Sequence, residues 1–182
     1  MGLFATSHLC SRLSTPRARR TRILCVNRAN LATYLNDHLA GSVAALELLE
    51  HLASSTEDDA HEEFVCSLRD AVSADQEVLR RLIEQLSLTE SIPRKVGAWF
   101  MEKAGEVKLK VDGPTDASLG RMEALEGLLL GITGKRGLWL ALSASVAPIE
   151  GFDFPALARR AEEQIAAVDA RRIKAAKAAF GD

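Results

Sequence analysis

Four side chains have the types and spacing for site chemistry. Glu123 and Glu126 lie one helical turn apart, and two nearby carboxylates can hold a cation or share a proton. Asp75 stands where an otherwise apolar helical period calls for an apolar residue, and a buried carboxylate needs a partner. His38, between Tyr34 and Ser42, could act as a ligand or proton carrier if Asp75, Glu123 or Glu126 faced it. Each has a plainer explanation. His38 can be a core-edge histidine bonded to an acid, and Asp75 can pair with His38, Lys135 or Arg136. Lys135 and Arg136 can also neutralise Glu123 and Glu126, and that pairing is the expected one. No Ser-His-Asp or Cys-His constellation is supported. There is no phosphate loop, because the glycines sit in helical context.

The segment that must position the two glutamates, Asp116–Val146, is almost wholly apolar and predicts one long helix at the centre of a bundle. Gly120, Ala124, Gly127, Gly131 and Gly134 form a thin stripe at spacings of 4, 3, 4 and 3. Each interior glycine costs roughly 0.5–1 kcal/mol against alanine, so the stripe predicts very close approach by another helix backbone. Met122, Leu125, Leu129, Ile132 and Trp139 make the opposite, knob-forming stripe. A membrane span is not expected, since Lys135 and Arg136 split the uncharged run into pieces of 8 and 13 residues. Spanning takes about 17–25.

The remaining long helices follow from the same periodicity. Leu31–Ala53, capped by Asn30, carries Leu35, Leu39, Ser42, Leu46, Leu49 and Ala53 along one seam. Its thin middle (Gly41, Ser42, Ala44, Ala45) is the expected partner of the glycine stripe. A second helix, opened by a Thr56/Asp59 capping box, reaches about Leu86 and aligns Phe64, Leu68, Ala71, Asp75, Val78, Leu82 and Gln85. A short amphipathic helix, Arg94 to about Val107, carries Val96, Trp99, Phe100 and Ala104 on one face. After Thr115 caps the central helix, Asp153 and Pro155 open a last one that ends at Gly181. Its inward line is Leu157, Ala161, Gln164, Val168 and Ile173. Four of the five prolines fall at breaks between these helices. The resulting order is long, long, short crossover, long, long.

Residues 1–29 hold six arginines and no acid, leaving 17 basic against 25 acidic residues in the body. So acidic a body lacks the electrostatic footprint of a nucleic-acid binder. The leader has transit-peptide composition, which would imply a mitochondrion or plastid. The alternative, favoured here, is a start assigned too far upstream, with Val26 an alternative bacterial start position. The expected domains are thus a disordered leader, 1–29, and a helical bundle, 30–182. Cys66 is the lone body cysteine, which suits a reducing, cytoplasmic compartment.

This arrangement, with the stretches YLNDHLAGSVAALELLEHL, SADQEVLRRL and RMEALEGLLLGITGKRGLW, resembles the ferritin-like superfamily, in particular uncharacterised bacterial members. The resemblance spans about Leu31 to Gly181 and rests on helix texture. It implies an all-α four-helix bundle with a short crossover helix between the second and third long helices. It also implies metal ligands as a Glu on the first and third long helices and Glu-x-x-His on the second and fourth. The chain departs from that pattern. Its histidines are His8, His38, His51 and His61, so none can serve the fourth helix, and Asp58-x-x-His61 is the one near match. A standard di-iron site is therefore not expected. The leading expectation is a non-enzymatic bundle, homodimeric through a helix face, whose polar interior is structural or binds a small ligand. The alternative is a metal-binding oxidoreductase or metal-storage protein, with iron or manganese on Glu123, Glu126, Asp75 and His38. A third class is a partner-binding module that uses Trp99 or Phe100.

Overall fold

A computed structural model describes residues 27–54, 59–90 and 117–181. These form four helices: α1, Arg28–Ser54; α2, Asp59–Gln85; α3, Ala117–Ser145; and α4, Phe154–Phe180. No strand occurs among the described residues, so the fold is all-α. The Thr56 cap, the Arg94–Val107 helix with Trp99 and Phe100, the Thr115 cap and residues 1–26 lie outside the described residues.

The helix ends follow local chemistry. α1 begins one turn earlier than expected because Asn27, not Asn30, is its cap: the Asn27 Oδ1 accepts the Asn30 amide at 3.1 Å. Arg28, counted with the leader, is the first residue of this helix, and its guanidinium donates to the Leu86 carbonyl at 2.6 Å. It thereby serves an orphan acceptor at the end of α2. α2 closes with Ser87 at φ 51°, while the Leu88 amide donates to Ile83 O and the Ser87 amide to Glu84 O. That is the paired 6→1 and 5→2 closure normally built on glycine. α4 opens as expected, with Asp153 Oδ1 accepting the Ala156 amide at 2.9 Å and Pro155 in the first turn.

α1 packs along α2, α3 packs most extensively along α4, and α1 meets α3. One end of the bundle gathers the start of α1, the end of α2 and the α3–α4 turn, where Gln85 Nε2 donates to Glu150 O at 3.1 Å. At the other end Arg171 of α4 lies over the Phe64 ring of α2, 4.7 Å from its centroid. α2 therefore ends, and α3 begins, at opposite ends of the bundle.

Two apolar cores fill the interior. Leu35, Leu39, Leu82, Leu138, Trp139 and Phe154 build the one beside the α3–α4 turn, with Trp139 stacked on Phe154 at 6.2 Å. Leu49, Leu52, Val65, Leu125, Leu128 and Val168 build the other. On α4, Ile173 is exposed and Ala175 takes the inward place expected of it. Seven residues separate Val168 from Ala175, two full turns, whereas five carry Ile173 off the line.

α3 departs from expectation in one respect. The knob-forming stripe is inward, but the helix is not enclosed all round. Gly120 and Ala124 are buried, while Gly127, Gly131 and Gly134 are exposed. α1 does run alongside, yet it reaches this stripe through side chains: a Cβ at Gly127 would lie 3.8 Å from Leu48 Cδ2 and one at Gly134 3.8 Å from His38 Cε1. Among the described residues no helix backbone lies within 4 Å of a Cβ placed at Gly127, Gly131 or Gly134.

Candidate functional site

A polar layer separates the two apolar cores, and every helix contributes to it. Asp75 of α2 is its centre and is 4% exposed. One carboxylate oxygen accepts from the Arg160 guanidinium of α4. The other accepts from Lys135 Nζ of α3 at 2.5 Å and from Gln164 Nε2 of α4 at 3.2 Å. Lys135 Nζ also donates to Gln164 Oε1 at 2.5 Å, so the three side chains close a ring. Beside it Gln76 Nε2 donates to Ser42 Oγ of α1 at 2.9 Å, and Ser42 Oγ donates to Leu39 O at 2.7 Å.

Position along each helix explains this convergence. Arg160 and Gln164 are four residues apart and so occupy one face of α4. Lys135 is a long cation set into an apolar helix, and its stem lies along the core while the ammonium reaches the carboxylate. Burial holds its pKa well below the ordinary lysine value, at about 8. Arg160 is the partner that sequence pattern does not reveal, because it reads as one of the charged exterior residues of α4. Its four-residue spacing from the inward Gln164 was the available signal.

The other expected residues lie elsewhere. Lys135 and Arg136 do not neutralise Glu123 and Glu126. Nine residues separate Glu126 from Lys135, two and a half turns, which puts them on opposite sides of the helix. Lys135 turns to Asp75, and Arg136 pairs with Glu162 of α4 at 2.5 Å. Glu126 is half-exposed and accepts from Arg172 of α4 at 3.3 Å. Arg172 is also held by Asp169 at 2.8 Å, and that hydrogen bond is the main cause of its raised pKa. Glu123 is partly buried in the same turn of α3.

Among the described residues His38 is not drawn to an acid across the bundle. Its ring meets Tyr34 edge-on at 4.7 Å between centroids, and burial lowers its pKa despite the nearby Asp37 carboxylate. The structure thus brings Asp75 together with Lys135, one of its three expected partners, and leaves His38, Glu123 and Glu126 apart from it. Among the described residues no three His, Cys, Asp or Glu side chains converge as metal ligands.

Chemically, the Asp75 carboxylate already accepts three hydrogen bonds, two of them from cations. A carboxylate offers about four acceptor sites, so one is left, and a metal ion there would stand against two protein cations already held by the same carboxylate. Among the described residues no helix is long and apolar enough to cross a membrane. Comparisons with protein-family models, with curated proteins and with solved structures give no match to this chain.

Proposed function

We propose that this chain is a ferritin-like helical bundle without a standard di-iron site, acting as a structural, small-ligand-binding or partner-binding protein of the cytoplasm rather than as an enzyme. The observation that carries the reading is the state of Asp75. The buried acid is engaged by Lys135, Arg160 and Gln164, so a metal ion there would stand against two protein cations already held by the same carboxylate. The layer ties α2 to α3 and α4 at mid-height, which suits an interior built to specify helix register.

Metal analysis of the purified full-length protein, after exposure to ferrous iron or manganese, tests this reading. Substoichiometric metal that does not change in Glu126→Gln is the expected result. Stoichiometric iron or manganese that is lost in Glu126→Gln would establish the carboxylate-rich metal site instead.

A further inference from the structure

The polar layer holds more positive than negative charge. Among the described residues bonded within it Asp75 is the one acid, and Lys135 and Arg160 both pair with it. Arg160 also keeps an unused donor: among the described residues its Nε is buried and has no hydrogen-bond partner. The layer is not sealed from water. The Lys135 side chain is 15% exposed and that of Arg160 40%. One turn before Lys135 on α3, a Cβ at Gly131 would meet nothing within 4 Å. Open space therefore lies one turn from the root of the lysine side chain.

In chemical terms this is a primary amine in contact with a carboxylate and beside a guanidinium. We infer that Lys135 is a covalent capture site for short 2-oxo acids, its amine forming an imine with the carbonyl while Arg160 takes the ligand's carboxylate. Lys135 and Arg160 hold opposite oxygens of the one Asp75 carboxylate, so amine and guanidinium stand side by side across it. A 2-oxo acid carries its carbonyl and carboxylate on adjacent carbons, which suits that spacing. A guanidinium has five donors in a planar fork, so Arg160 can hold a second carboxylate without leaving Asp75.

The step balances without an oxidant or a reductant. Neutral Nζ attacks the carbonyl carbon, and the C–N bond forms as the C=O π pair moves onto oxygen. Asp75, bonded to Nζ, passes a proton from nitrogen to that oxygen. The hydroxyl then leaves as water, with the proton that the ammonium first released, and the nitrogen lone pair closes C=N. In sum an ammonium with three N–H bonds becomes an iminium with one, and both lost protons depart in the water. The positive charge stays on Nζ beside Asp75, so the ion pair survives capture. Burial assists the first stage, because a pKa of about 8 makes the neutral amine available.

This capture rests on the reading of the interior as a small-ligand site. Stoichiometric metal would overturn that reading, whereas a metal-free protein that takes up no glyoxylate at Lys135 would overturn the capture alone. The full-length protein is incubated at pH 8 with glyoxylate and sodium cyanoborohydride, which reduces an imine to a stable secondary amine. Peptide mass spectrometry then locates the labelled lysines. Lys135 is expected to be labelled at least about tenfold faster than exposed Lys174 and Lys177, since an ordinary lysine is almost wholly protonated at that pH. Propanal, an aldehyde without a carboxylate, is the control. Arg160→Gln, checked as folded by circular dichroism, is expected to slow glyoxylate labelling of Lys135 at least about fivefold and to leave the propanal rate within about twofold. Labelling of wild-type Lys135 no faster than that of Lys174 and Lys177 overturns the proposal, whether or not the variant folds. Equal losses of glyoxylate and propanal labelling in Arg160→Gln also overturn it, since Arg160 would then act on Lys135 and not on a ligand carboxylate.

Discussion

Lys135 shows how much of a buried ion pair is cost. Its ammonium lies 2.5 Å from a buried carboxylate, yet burial still lowers its pKa to about 8. The sign of the pH effect follows. Above about 8 the folded protein releases this proton, while the unfolded chain keeps it to the ordinary lysine range. Between these values the unfolded state binds more protons, so the contribution of Lys135 to stability rises with pH. Below the window the charged, buried ammonium is a penalty of at most roughly 3 kcal/mol. Unfolding free energies at pH 7.5 and 9.5 check this: the wild type should gain relative to Lys135→Met across that interval. A relative loss would mean that the ion pair, not burial, governs the proton.

The residue scale also shows what was legible. Asp75 stands out in the sequence because a helical period with a single acid on its inward line demands a partner, and Lys135 was among those foreseen. Arg160 was hidden, since a cation on a helix with a charged exterior carries no sign of which way it turns. The expected neutralisation of Glu123 and Glu126 failed on helix geometry: a count of turns separates Glu126 from Lys135 without any knowledge of neighbours. His38 failed differently. Nothing in the spacing of α1 tells that its ring would rest on Tyr34 and the thin edge of α3.

At the scale of elements, apolar period and punctuation sufficed to place all four described helices to within about a turn. Pro155 and Asp153 fix the start of α4 because a proline without an amide and an aspartate that accepts one fit the first turn. The cap of α1 was assigned one turn late because Asn27 and Asn30 are equally good cap residues, and the bond from Asn30 to Asn27 decides between them. Two substitutions test these ends by thermal unfolding. Asp153→Ala should cost about 1 kcal/mol by removing the acceptor for the Ala156 amide. Ser87→Gly should stabilise by roughly 0.5–1 kcal/mol, since Ser87 holds the left-handed conformation that glycine adopts without a Cβ penalty. The glycine stripe was visible as a pattern, but its direction was not. A thin helix face announces close approach without saying whether the neighbour belongs to the same chain.

At the scale of the whole molecule, the bundle is two helical hairpins, α1–α2 and α3–α4, joined by apolar cores at either end and by one polar layer between them. Such a layer adds less net stability than apolar packing, but it penalises every misregistered pairing that would strand a buried charge. The central claim is that Asp75 belongs to the protein's own cations. Denaturant unfolding of wild type, Asp75→Leu, Lys135→Met and the double variant tests it most directly. Asp75→Leu alone should cost about 3 kcal/mol, because it leaves a buried ammonium unpaired. Adding Lys135→Met should return about 2 kcal/mol of that loss, as Arg160 can turn its half-exposed guanidinium to water. Additive losses in the double variant, or a wild-type stability that rises on adding ferrous iron or manganese and fails to do so in Asp75→Leu, would contradict the account.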